Sequence, residues 1–90
     1  MQGLFNKVKN LQTRQRFVVS TIRKEDNLFE TAVFAATFLY FPKTLAKPEL
    51  AVRTRNKDEA WDLHYQITVR LTTEYPARLF QEFAQGTPAF

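Results

Sequence analysis

Residues 61–71 alternate without exception. Trp61, Leu63, Tyr65, Ile67, Val69 and Leu71 are large and apolar, and Asp62, His64, Gln66, Thr68 and Arg70 between them are polar. A period of two is the pattern of a strand with one dry and one wet face. It predicts a long strand over about 60–73 in a one-sided antiparallel sheet. Residues 16–23, RFVVSTIR, are rich in β-branched side chains and predict another strand, closed by the turn cluster Lys24-Glu25-Asp26-Asn27. Residues 28–41 are apolar on both parities, as in a central strand covered on both faces. Ala32, Ala35 and Ala36 would suit a buried helix there, but the Val, Thr, Phe and Tyr content favours a strand, which Pro42 ends. A proline-bracketed loop over 42–48, a short strand over 50–55 and a turn at Asn56-Lys57-Asp58-Glu59 complete the predicted sheet.

The last two strands set each other's register. A hairpin through 56–59 brings Val52 against Leu63 and Leu50 against Tyr65 on the dry side, and Arg53 against Asp62 on the wet side. A slip by one residue would turn the large apolar side chains outward, which no surface pairing offsets.

Helical spacing is expected at the two ends. Leu4, Phe5, Val8 and Leu11 fall on one side of residues 3–13, with Lys7, Lys9 and Asn10 on the other. This predicts a basic amphipathic helix or arm over 1–15. Pro76 suits a first helical turn and Gly86 the position beyond a helix end, with Leu79, Phe80, Phe83 and Ala84 as the apolar stripe of a helix over 76–85. The expected fold is α+β: a two-layer sandwich with a four-stranded antiparallel sheet over 16–73 and N-terminal and C-terminal helices on one face. Ninety residues make a single domain.

Composition narrows the function classes. Nine Phe, three Tyr and one Trp are a heavy aromatic load for this length, and there is no cysteine to form a disulfide or a thiolate metal site. No secretory signal opens the chain, and no apolar run approaches the roughly 20 residues of a membrane helix. A cytoplasmic protein without an integral membrane segment is expected. Peripheral membrane contact is not expected, since the narrow stripe Leu4, Phe5, Val8 and Leu11 is equally explained by packing on the domain.

The net charge of +4 is unevenly spread. Lys7, Lys9, Arg14, Arg16, Arg23 and Lys24 precede the first acid, Glu25, and Lys43, Lys47, Arg53, Arg55 and Lys57 form a second basic stretch interrupted only by Glu49. Separation of this kind steers anionic partners.

Catalytic chemistry is not expected. His64 is the sole histidine. On a wet strand face Asp62 and Gln66 would flank it, and Arg53 and Arg70 would lie near, a set able to tune a general base. No nucleophile is positioned beside it. Gly3 and Gly86 are isolated, so neither a glycine-rich Walker loop nor a dinucleotide fingerprint is possible, and no metal-ligand spacing occurs; neither a cofactor nor a metal is expected.

Two binding functions remain. The leading one is a non-enzymatic interaction, regulatory or assembly protein, acting as a homodimer or complex subunit. Its contact would use the overhanging strand edge at Ile67, Val69 and Leu71 and the aromatic run at Phe38, Tyr40 and Phe41. The alternative is a nucleic-acid-binding module using Lys7, Lys9, Arg14, Arg16, Arg53, Arg55 and Arg70. Against it, the same arginines suit pairing with Asp62 and Glu74, and Trp61 and Tyr65 would be core residues.

Overall fold

The computed structural model of the chain describes residues 3–85. Strands β1 (Gly3–Lys9), β2 (Arg16–Glu25), β3 (Leu28–Ala36) and β4 (Leu50–Thr54) are followed by helices α1 (Lys57–Thr73) and α2 (Pro76–Gln85). The strands form an antiparallel meander in the order β1-β2-β3-β4. The class is α+β as expected: a four-stranded antiparallel sheet with two helices packed on it. The assignment of elements differs at two places. The N-terminal segment is a strand, and the alternating segment is a helix, so both helices follow the sheet. The stop expected at Gly86 lies outside the described residues.

Helix α1 forms because a second period runs through the same residues. Ala60, His64, Ile67 and Leu71 recur at helical spacing, and all four are buried. The alternating apolar set is divided by the helix: Ile67 and Leu71 enter the core, Trp61 and Leu63 are half-buried, and Tyr65 and Val69 face solvent. The start is encoded in the residues expected to turn. Asn56 is extended (φ −139°, ψ 162°) and its side chain accepts the Glu59 N–H at 2.8 Å, while Asp58 and Glu59 lie in the positive first turn. The expected hairpin therefore does not exist. Arg53 lies opposite Glu30 rather than Asp62, and their side chains approach to 3.5 Å.

Strand β1 pairs with β2 along its whole length, from Gly3 opposite Ile22 to Lys9 opposite Arg16. An isolated helix of this length is marginal in water, whereas β2 offers a ladder partner for every residue. Leu4, Asn6 and Val8 turn toward the helices, and Phe5, Lys7 and Lys9 turn away. Strand β3 stops at Ala36, short of the expected Phe41. The chain then turns tightly: the Thr37 N–H donates to the Phe41 carbonyl at 2.8 Å, the Tyr40 N–H donates to the Thr37 carbonyl at 2.9 Å, and Tyr40 takes a left-handed φ of 64°.

The core lies between sheet and helices. Val8, Phe17, Val19, Val33, Leu50 and Val52 from the sheet meet Ile67, Leu71 and Leu79 from the helices. Phe17 and Phe80 pack edge to face at 5.6 Å between ring centres, which ties α2 to β2. All these sheet residues share one face. Among the described residues, the other face carries no helix.

Candidate functional site

Two groups of polar side chains stand out, one sealed and one open. The sealed group lies under α1. His64 is fully buried, with Nδ1 2.8 Å from Thr21 Oγ1 and Nε2 2.7 Å from Asn6 Oδ1. Since Asn6 presents an oxygen, Nε2–H donates to it and Nδ1 accepts the Thr21 hydroxyl. Thr21 then accepts from Thr31 at 2.7 Å. The result is a one-directional chain, Thr31 to Thr21 to His64 to Asn6. Burial pushes the His64 pKa down, so the ring is held neutral. A hydroxyl beside an imidazole has the form of a nucleophile and base, but neither Thr21 nor His64 reaches solvent. The wet-face setting expected for His64, beside Asp62 and Gln66, is thus replaced by a buried one. Among the described residues no group of three or more His, Cys, Asp or Glu side chains could hold a metal ion.

A fully buried amide, Asn10, fixes the turn between β1 and β2 onto the end of α1. Its Nδ2 donates to the carbonyls of Leu71 and Glu74, both at 2.6 Å, and its Oδ1 accepts the N–H groups of Gln12 and Thr13 at 3.0 and 2.9 Å. The Leu11 N–H and Gln12 Nε2 satisfy the carbonyls of Thr72 and Thr73. Four successive carbonyls at the helix end thereby gain partners from one turn.

The open group lies on the helix-free face, where register places side chains in four rungs. Lys9, Arg16 and Ala36 form the first; Lys7, Val18 and Phe34 the second; Phe5, Ser20, Ala32 and Ala51 the third; Ile22, Glu30 and Arg53 the last. The turn after β3 brings two more rings to the first rungs. The Arg16 guanidinium lies 4.6 Å from the Phe38 ring centre and 5.7 Å from that of Tyr40, and Lys7 Nζ lies 5.9 Å from Tyr40. Phe38 keeps 74% of its surface exposed and Phe5 56%.

Charge divides the face. Glu30 on the last rung is shared by Arg53 at 3.5 Å and Lys24 at 3.8 Å. At the other end, Lys7, Lys9, Arg14, Arg16 and Lys43 make no ion pair among the described residues. That end combines uncompensated positive charge with flat rings.

The expected site residues are sorted accordingly. Lys7, Lys9, Arg14 and Arg16 gather at one end with Phe38 and Tyr40. Arg53 sits at the opposite end, committed to Glu30, and Arg55 lies beyond β4, toward α1. Arg70 is on the helix side, where it grips Glu74 through Nε and Nη2 at 2.8 Å each and Glu82 through Nη1 at 2.6 Å and Nη2 at 2.9 Å. These hydrogen bonds raise the Arg70 pKa and lower those of Glu74 and Glu82. Ile67 and Leu71 are core residues and Val69 lies on the outer side of α1, so the three form no strand edge. Phe41 and Phe38 are exposed, and Tyr40 is half-buried. Phe5 and Phe34 were not expected in the site; the alternation of Phe5, Lys7 and Lys9 against Leu4, Asn6 and Val8 carries that signal once the segment is taken as a strand.

No family model, curated protein or solved structure matches the chain. Among the described residues, no helix is long and apolar enough to cross a membrane.

Proposed function

We propose that the chain is a non-enzymatic, cytoplasmic binding module for single-stranded nucleic acid, using the helix-free face of its sheet. One observation carries this reading: Lys7, Lys9 and Arg16, which make no ion pair among the described residues, share the helix-free face with the exposed rings of Phe5 and Phe38 and the half-buried rings of Phe34 and Tyr40. Cations neutralise phosphates without reading sequence, and ring faces stack bases of any identity. A sheet face with exposed rings suits splayed bases better than a duplex, whose grooves admit a helix or a protruding ribbon.

Fluorescence anisotropy with labelled oligo-dT and oligo-U tests it. Three phosphate contacts give a log–log salt slope of about −2, so raising salt from about 50 to about 200 mM weakens binding by roughly 16-fold. Lys7→Gln with Arg16→Gln should lower the slope by about 1.4, while Arg78→Ala on α2 should leave it unchanged. Phe5→Ala and Phe38→Ala should weaken binding at both salts. Absence of binding at the lower salt refutes the proposal, as does equal competition by polyglutamate of matching charge, since rings contribute nothing to holding that polymer.

A second reading, a protein partner or second copy, is supported by Leu39, Phe41 and Leu45, which are 65%, 66% and 74% exposed in one loop. Light scattering tests it. A dimer mass abolished by Leu39→Ser with Phe41→Ser supports self-association, and a monomer at high concentration removes it.

A further inference from the structure

Beside the first rung the surface is hollowed. The concavity, about 240 Å³, lies between the β1–β2 turn and the loop after β3, and it is lined by Arg14, Gln15, Arg16, Thr37, Phe38 and Lys43 among others. Three cations and an exposed ring line it, and among the described residues no carboxylate does. Both walls are held in place. The Asn10 side chain pins one to α1, and the hydrogen bonds of Thr37 to Phe41 and of the Lys43 N–H to the Ala35 carbonyl close the other. Arg14 occupies a left-handed position with φ 63°, where Gly or Asn is less strained. The strain is accepted at the residue that extends the positive charge of the hollow.

We propose that this concavity seats the terminal phosphate of a phosphorylated strand end, with the adjoining base on the exposed face of Phe38. The inference rests on the nucleic-acid reading above. Charge decides between a terminal and an internal phosphate. A diester carries one negative charge, whereas a phosphomonoester carries nearly two at pH 7 and offers three acceptor oxygens. Three cations match the latter, and two of them are guanidinium groups able to donate in pairs to phosphate oxygens. Arg16 covers one side of the Phe38 ring and leaves the other for a base.

The test compares hexanucleotides of one sequence bearing a 5′-phosphate, a 3′-phosphate or neither. The readout is the affinity ratio of phosphorylated to unphosphorylated strand. One phosphorylated form should bind about tenfold more tightly, the effect of one charge-assisted hydrogen bond, and the form that does so identifies the strand end. Arg14→Asn with Lys43→Gln should bring the ratio to about one; Asn tolerates the left-handed backbone, so the turn is retained. Lys7→Gln should weaken all three strands together and preserve the ratio. Equal binding of all three strands by the wild type overturns the terminal-phosphate site and leaves the sheet-face reading standing. A ratio unchanged in the double variant overturns it likewise. Binding of none of the strands overturns both.

Discussion

Replacing His64 by Leu tests the buried polar chain through pH. The chain has a single histidine, so the imidazole contribution near neutrality belongs to one site. In the folded state the ring is fully enclosed and its pKa is lowered by burial. The unfolded chain takes up a proton as pH falls through about 6.5, whereas the folded protein resists until a lower pH. The neutral ring's stability contribution is therefore fully present above about pH 6.5 and is lost as pH falls from there through the folded pKa. One proton limits the slope to about 1.4 kcal/mol per pH unit. Above pH 7 the variant should lose about 1–3 kcal/mol, the cost of unpairing buried polar partners. Thr21 keeps its bond to Thr31 and Asn6 is only partly buried, which favours the lower half of that range. Urea unfolding monitored by Trp61, the sole tryptophan, from about pH 7.5 to 5 measures both effects. Wild type should converge on the variant as pH falls. The carboxylates of Glu74 and Glu82, with lowered pKa values, act in a separate window below their ordinary 4.5. Parallel curves for the two proteins across the whole range would refute the argument.

Two further substitutions address the fold. Asn10→Asp retains the acceptor for Gln12 and Thr13 but faces the Leu71 and Glu74 carbonyls without a donor, so it should destabilise more than Asn10→Ala, itself costing about 2–4 kcal/mol in chemical unfolding. Ile67→Lys should abolish cooperative folding by circular dichroism, whereas Val69→Lys, at a position 68% exposed, should change stability by less than about 0.5 kcal/mol; equal damage from both would restore a strand with the two side chains on one face.

Much of the architecture was legible in the sequence, and the failures are specific. The β-branched run at 16–23, the short strand at 50–55 and the helix opened by Pro76 appear where the pattern puts them. Residues 57–73 differ from the expected strand because two periods coexist there. The alternating one is complete only if His64 counts as polar and outward, and the helical one is complete only if His64 counts as buried. What decides is a pair of distant partners, Asn6 and Thr21, which local spacing does not reveal. The cap at Asn56 was a local signal for the helix, but a turn uses the same residue types. The basic end was half legible: the charge runs named Lys7, Lys9, Arg14 and Arg16. Their company with Phe5, Phe34 and Phe38 depends on β1, a strand whose residues also carry helical spacing.

Both misreadings share one physical cause, and it bears on function. This domain places polar side chains inward, with Asn6, Asn10, Thr21, Thr31 and His64 between sheet and helices, and aromatic ones outward, with Phe5 and Phe38 in solvent. The inward exchange is compensated, because Asn6, Asn10, Thr21, Thr31 and His64 find partners within the chain, the buried Thr54 hydroxyl alone among the described side chains being left without one. The outward exchange has no such compensation among the described residues. Exposed rings gain nothing from water, and Arg16 and Lys7 cover only part of theirs. A departure from the hydrophobic-inside rule that leaves rings exposed beside unpaired cations is where a function is expected to be written over the fold. The ligand that would complete it must supply both a π-face and negative charge. Under the nucleic-acid proposal, a nucleotide strand would supply the two alternately along its length, base after phosphate, in step with the rings and cations of the helix-free face.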